Sequence, residues 1–479
     1  MFSLLKTSLL ALLMVGSAGL VSAGQPLNIL WINCDDLGRE VGCYGNQDVY
    51  TPHMDRLAKE GIRFLNAYAN APVCSASRSS QITGMYPSSV NCLSHRAVTK
   101  HALPEGIVPV MELFRQKGYF CTNGWAHNLE KPGKEDYNFQ GADFFEGTDW
   151  QKRKKGQPFF AQVQIHEPHR TFVHDPDRPV DPAKVQLPEE YPDEPLIRAD
   201  WAMYLESVQV ADKRIGKILA RLEQEGELEN TAVFVFGDHG RPHLRDKQWL
   251  YEGGLQIPIL VYLPQNKKAG QERSDLISLI DVTASSLALA GIPIPDYMQG
   301  KDVLGGDKRQ YAYGFRGRCG DADDDIRSVT DGRYKLIWNK KIDLPYMQLT
   351  SYKKLQYPAF VLYKELYRTN QLPAPYNQFM AQSRPEVELY DLQKDPAEYA
   401  NLADHKAFQK VRKRLWKVLQ AELAMAEKEV IPETAEEIQR AKSGSMKYCE
   451  KGMIKRGLTA EPSDRQILNY WENTLLKAQ

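Results

Sequence analysis

Short unbroken apolar runs alternate with segments in which apolar positions return every three to four residues over roughly the first three hundred positions. Asn28–Asn33, Gly118–Thr122, Phe159–Ile165, Thr231–Phe236 and Ile257–Leu263 are of the first kind. Strands buried on both faces read this way. Helices are predicted between them. One starts at Thr51-Pro52, with Thr as N-cap and Pro in the first turn, carries Met54, Leu57 and Ala58 on one stripe, and stops at Gly61. Others are predicted over Val108–Gln116, over 199–224 (apolar at Met203, Val210, Ile218 and Leu222), over Asp275–Ala290 and over Phe408–Lys428. The alternation predicts an α/β fold with a large, mostly parallel sheet sandwiched by helices. It stops near Gly300. Beyond it, Ile326–Trp338 reads as a hairpin turning on Asp331-Gly332, and Glu388–Leu392 as another strand, which together predict a smaller antiparallel-sheet subdomain. Pro345–Pro385 is rich in Tyr and Pro and shows no helical period, and the stretch after Ile431 is charged with no legible chemistry. The expected division is a catalytic domain over 24–300, the subdomain over 301–430 and a charged extension over 431–479.

Reactive side chains cluster just after the apolar runs. Open α/β sheets gather ligands at the C-terminal ends of their strands. Cys34-Asp35-Asp36-Leu37-Gly38 follows the first run. Adjacent carboxylates repel, and both converge on one point only if the chain turns there, which Gly38 assists. Gly237-Asp238-His239-Gly240 follows a later run and could complete a cation site with them. Oxygen-rich ligation with one histidine suits calcium and would also admit manganese or magnesium. Gly124-Trp125-Ala126-His127 and His166-Glu167-Pro168-His169-Arg170 end two more runs.

The stretch Ala71–Pro87 places Cys74 four residues before Arg78, at the start of a helix predicted over Ser75–Thr83. A helix N-terminus favours an anion. In isolation the pair reads as a buried thiol beside a surface arginine.

C-S-A-S-R followed by T-G resembles the signature C-x-(P/A)-S-R-x(4)-T-G of type I, formylglycine-dependent sulfatases of the alkaline-phosphatase-like superfamily. Further resemblances run in the family's order from about Asn28 to Leu402, including K-x(3)-Y-E-G-G at Lys247 and the closing E-L-Y-D-L phrase at Glu388. The resemblance implies that a formylglycine-generating maturation enzyme oxidises Cys74 to 3-oxoalanine. It implies a single calcium ion held by Asp35, Asp36, Asp238, His239 and the modified Cys74. Arg78 and Lys247 would contact sulfate, His127 would act as base, and His169 as the acid on the leaving group, with His166 the alternative from the same strand end. Ala76 stands where proline is commoner in the signature. Trp125 stands where the family commonly has a sulfate-binding lysine, so either Lys131 or Lys134 supplies that charge or the site does without it.

The implied substrate is a sulfated saccharide, a polysaccharide or glycosaminoglycan fragment. Close alternatives are an N-sulfoglucosamine sulfohydrolase, which His166–Arg170 also resembles, and a phosphodiesterase or phosphonate monoester hydrolase of the same superfamily. A glycan-binding pseudoenzyme with an unconverted Cys74 is the non-catalytic alternative. Arg316 and Arg318 could read a second sulfate or a uronate. Lys152–Lys155 reads as a solvated loop or a rim contact for a polyanion, Asp321–Asp325 as a solvated loop, and Val173–Pro195 as a long surface excursion.

Composition changes this picture in three places. Lys plus Arg and Asp plus Glu both number 61, so nothing in the net charge favours nucleic acid or a sulfated polymer by bulk attraction, which leaves only local basic patches. Residues 1–23 read as a secretory signal, with Lys6, an apolar core over Leu9–Val15 and a Val21-Ser22-Ala23 cleavage site. The expectation is export to a periplasm or out of the cell, with no membrane span after cleavage. Seven cysteines permit disulfides in that compartment, but their spacing names no pairs. The sequence sets no oligomeric state.

Overall fold

The computed structural model describes residues 26–266, 268–348 and 350–477; the expected signal, 1–23, lies outside them. In chain order the elements are β1 (Asn28–Cys34), α1 (Pro52–Glu60), β2 (Ile62–Tyr68), α2 (Cys74–Thr83), α3 (Val110–Gln116), β3 (Phe120–Trp125), β4 (Asn128–Pro132), β5 (Phe159–Ile165), α4 (Pro195–Gln224), β6 (Thr231–Gly237), α5 (Glu252–Leu255), β7 (Ile259–Tyr262), β8 (Gln271–Ser278) and α6 (Leu279–Leu289). They continue with β9 (Ala312–Arg316), β10 (Ile326–Thr330), β11 (Tyr334–Asn339), α7 (Ser351–Gln356), α8 (Pro358–Arg368), β12 (Val387–Asp391), α9 (Gln409–Ala426), α10 (Ala435–Lys455) and α11 (Asp464–Leu475).

An eight-stranded sheet has the order β4-β3-β5-β1-β6-β7-β2-β8. Only β4 and β7 run against the other strands. Cys34 at the end of β1 is level with Ile165 of β5 on one side and Gly237 of β6 on the other. The segments that follow these three strands therefore leave the sheet side by side.

Successive residues of β1 face opposite layers, as the pleat requires. Leu30 and Ile32 pack in the layer of Trp201, Leu205 and Val208 from α4. Ile29 and Trp31 face the layer holding Ile82 of α2, Phe114 of α3 and Leu287 of α6. Trp31 packs edge-on against Phe160 and Phe236, and its indole N–H donates to Ser286 Oγ at 2.9 Å. The second sheet is antiparallel, β12-β11-β10-β9, and α9 packs on it. Its central hairpin turns at Asp331-Gly332, where Gly332 has φ 89°. No helix among the described residues is long and apolar enough to cross a membrane.

Four expectations are corrected. The helix expected over Asp275–Ala290 begins at Leu279, because residues 271–278 pair with β2 as a strand. Ser278 and Asp281 form a reciprocal capping box that fixes the start. Pro345–Pro385 contains α7 and α8, with Pro358 in the first turn of α8, where a missing N–H costs nothing. The extension after Ile431 is no appendage: α10 packs on α7, and α11 packs on α8 and α4, placing Leu468 and Trp471 in the same core as Trp201. Asp321–Asp325 is not a solvated loop. Asp324 is buried and held by both terminal nitrogens of Arg384 at 2.9 Å, and Asp321 accepts from Ser351 and Ser445.

Candidate active site

The level ends of β1, β5 and β6 bring Asp35, Asp36, His166, His169, Asp238 and His239 to one edge of the sheet. Asp36 adopts φ 62°, the turn that two neighbouring carboxylates need in order to converge. Its N–H donates to Asp238 Oδ1 at 3.0 Å, which ties the two strand ends together.

The chain leaving β2 enters the same edge at α2. All ten residues of α2 are buried, and the helix ends at Gly84, whose φ of 66° and close approach to the Met298 side chain exclude a Cβ. Cys74 opens the helix and is 1% exposed. Its Sγ lies 3.3 Å from His239 Nε2 and 3.6 Å from Lys247 Nζ. His239 Nδ1 is 2.9 Å from the Gly240 carbonyl; donation there turns Nε2 toward the cluster.

One turn further on, Arg78 is buried between three partners. Its Nε donates to Asp238 Oδ2 at 3.0 Å, one terminal nitrogen donates to Gln164 Oε1 at 2.7 Å, and the other bonds Asp35. Lys247 donates to both oxygens of Asp36, at 2.7 and 2.9 Å. Lys134 donates to Asp35 Oδ2 at 3.0 Å. Burial by itself would raise the Asp35 carboxyl; Arg78 and Lys134 outweigh it and hold Asp35 well below the usual carboxylate range. Asp36 is likewise lowered against its burial, by Lys247, His169 and His239. Burial pulls His239 down, but the Asp238 and Asp36 carboxylates lift it to about 10. Burial dominates at His169 and takes it to about 4 despite the pull of Asp36.

The donor set tests the expected cation. Asp35, Asp36 and Asp238 are three buried carboxylates at this sheet edge, with the His239 imidazole 3.1 Å from Asp36. That set fits a hard divalent ion. Ligand atoms of Cys74, Asp238 and His239 lie within 4.8 Å of one another, as do those of Asp36, Cys74 and His169.

Of the two candidate histidines on the β5 end, His169 lines the Cys74 cavity, 18% exposed, with Nε2 3.9 Å from Asp36. His166 is 47% exposed and approaches Asp35 instead. His127 is not brought in. It is exposed, its ring 5.8 Å from that of Trp125, and no hydrogen bond among the described residues joins it to the cluster. Trp125 displaces no charge from the site, because Lys134 reaches it from the neighbouring loop. Gly133 and Asn123 of β3 exchange hydrogen bonds at 3.0 and 3.1 Å, which aims the next residue at Asp35. A Cβ at Gly133 would strike Asn123 and Gln164. Lys131 is exposed.

Arg316 is fully buried over Trp249 near Asp324, away from the cavity lining, whereas Arg318 lines the Cys74 cavity and is paired with Glu433. Residues the sequence reading passed over complete the site. Gln164 is a polar interruption in an apolar run, and that was its signal. Lys353 is buried, with Nζ donating to the carbonyls of His243, Leu244 and Lys247, so it shapes the loop that presents Lys247. His95, Arg96 and Tyr352 line the Cys74 cavity. All seven cysteines are unpaired.

Residues 27–292 match the Sulfatase family, and residues 237–349 match the family described as N-sulphoglucosamine sulphohydrolase, C-terminal. An ulvan-active sulfatase of Formosa agariphila is 30% identical over 439 residues, covering 80% of this chain and 72% of that protein. The N-sulphoglucosamine sulphohydrolase of Homo sapiens is 29% identical over 316 residues, covering 57% of this chain and 62% of that protein. A solved structure of a protein in complex with its substrate, D-glucosamine-2-N,6-O-disulfate, shares the fold with a TM-score of 0.60 at 18% identity, covering 85% of this chain and 99% of that one.

Proposed function

The chain belongs to the sulfatase family and is a sulfate ester hydrolase, and from that premise we propose that it is an exported enzyme removing sulfate from a carbohydrate, with a formylglycine derived from Cys74 and one divalent cation, calcium by its ligand type. The observation that carries this reading is the setting of Cys74, buried at the first turn of α2 between Lys247 Nζ and His239 Nε2.

Asp35, Asp36, Asp238 and His239 would hold the cation, which when bound supplies the positive charge that offsets the carboxylates and polarises sulfate oxygens. Residue 74, once oxidised and hydrated, supplies a hydroxyl nucleophile for sulfur and a second hydroxyl through which sulfate is later released.

The protein's own groups do the rest. Lys247 and Arg78 flank residue 74 and stabilise charge on the sulfuryl oxygens, with Lys134 in place of the lysine that Trp125 replaces. His169 donates a proton to the departing sugar oxygen. Neutral after that step, it can take the proton of the second hydroxyl, so one imidazole serves as acid and then base. The role first given to His127 passes to it, because His127 stands outside the cluster. His169 prefers the neutral form in the empty cavity; an anionic sulfate ester entering beside it favours the protonated form.

A second reading, an N-sulfoglucosamine sulfohydrolase, is favoured by the match over residues 237–349. Peptide mass spectrometry of protein made with a maturation enzyme should find the aldehyde at residue 74, and that protein should desulfate O-sulfated saccharides. Turnover of N-sulfoglucosamine alone would select the second reading. A persistent thiol with no turnover on either substrate class would refute both.

A further inference from the structure

We propose that the chamber walled by α10 and α11, beside the Cys74 cavity, is a second binding site that takes the acidic sugar next to the one losing sulfate. This rests on the reading of the substrate as a sulfated saccharide.

The Cys74 cavity holds about 520 Å³ and the neighbouring chamber about 1230 Å³. The two share Arg170, Thr171, Gln356 and Tyr448 as wall residues, so they adjoin. Tyr448 is exposed at the junction. Its ring lies 6.5 Å from that of Tyr352, which lies 6.4 Å from His169. An aromatic row therefore runs from the reacting centre to Tyr448 at the edge of the chamber. The apolar faces of sugar rings stack on such surfaces.

The polar lining is cationic. Lys451 and Lys455, one turn apart on α10, are exposed and have no acidic partner among the described residues. The Arg456 guanidinium lies 4.7 Å above Trp471 and is held only by neutral groups, the Leu355 carbonyl and Gln356 Oε1. The chamber's acids are already engaged. Asp200 binds Arg170, Glu206 accepts from Asp175, Val180 and His174, and Asp181 lies 3.1 Å from Lys184. Uncommitted lysines and an exposed aromatic ring at the junction match a sugar bearing sulfate or carboxylate. Residues 435–475, which carry this wall, lie outside both family matches.

Calorimetric titration of the full-length Cys74→Ala protein with disaccharides and tetrasaccharides prepared from heparin and from ulvan tests this without turnover. In at least one series the tetrasaccharide should bind at least tenfold more tightly than the disaccharide. The Lys451→Ala/Lys455→Ala double variant, which removes no buried group, should shrink that gain to within twofold. No gain with length in either series overturns the proposal, as does a gain that survives the double variant. A length-dependent gain in a protein whose unsubstituted form desulfates none of these saccharides upholds the chamber and overturns the reading of these saccharides as its substrates.

Discussion

Each of the three acidic carboxylates at the active-site edge bonds a cationic side chain: Arg78 bridges Asp35 and Asp238, Lys247 grips Asp36, and Lys134 reaches Asp35. Lys134 is the test of this pairing, because we propose that it takes the place of a lysine the motif lacks. Lys134→Met should lower kcat/KM on a sulfated saccharide by about ten- to a hundredfold, with Lys131→Met, an exposed site, nearly silent. Equal effects from the two would remove Lys134 from the site. Cys74→Ala should abolish turnover, a fall of at least about a thousandfold, while a melting curve shows the fold retained. Adjacent acids after an apolar run are a local signal, and so is a cysteine four residues before an arginine. Lys134 and Lys353 were harder to read. A long side chain reaching from a loop into a distant cluster obeys no period, and its target is set by backbone contacts such as Gly133 with Asn123.

Helices here are fastened by one another's side chains. Thr51 makes no side-chain cap on α1; Asp212 of α4 does it instead, accepting from the N–H groups of Met54 at 2.8 Å and His53 at 3.2 Å. Burial raises the Asp212 carboxyl to about 7, in spite of those two bonds. An unfolded aspartate titrates near about 4. Between the two values the native state binds more protons than the unfolded one, so this group makes stability fall as pH rises through that window and level off above it. Asp212→Asn should flatten that decline in urea midpoints taken between about pH 5 and about pH 8; an unchanged slope would show that Asp212 is not its source. Element type was legible wherever one period dominated. It failed at residues 271–278, where a half-exposed strand runs directly into a helix, and at α10 and α11, whose few buried positions (Cys449, Met453, Ile467, Leu468 and Trp471) lie among charges.

Across the whole molecule, one sheet edge collects contributions from both ends of the chain. Asp35 and Asp36 come from the first strand, and Lys353 and Tyr448 from segments that carried no recognisable chemistry. Strand–helix alternation made the large sheet readable, and the turn at Asp331-Gly332 made the hairpin readable. The cover over the cleft was not, because it depends on contacts between residues hundreds of positions apart. Three buried carboxylates at the centre of this assembly predict a stability response to metal. Chelation should lower the melting temperature by several degrees, in line with about 2.7 kcal/mol of linkage at a hundredfold excess over Kd, and added calcium should restore it. A melting curve indifferent to chelator and calcium would remove the cation from the fold's energetics.

The burial of α2 also sets a chronology. Residue 74 is 1% exposed, and the whole helix around it is enclosed. An enzyme that oxidises this thiol has to engage the segment while it is still an extended nascent peptide, before α2 docks beneath the sheet edge. Synthesis, oxidation and folding then form a race with one permitted order. A synthetic peptide spanning 69–87 should be a substrate for the maturation enzyme, whereas folded protein carrying the thiol should be refractory until it is unfolded. Oxidation of the folded form at the peptide's rate would break that order.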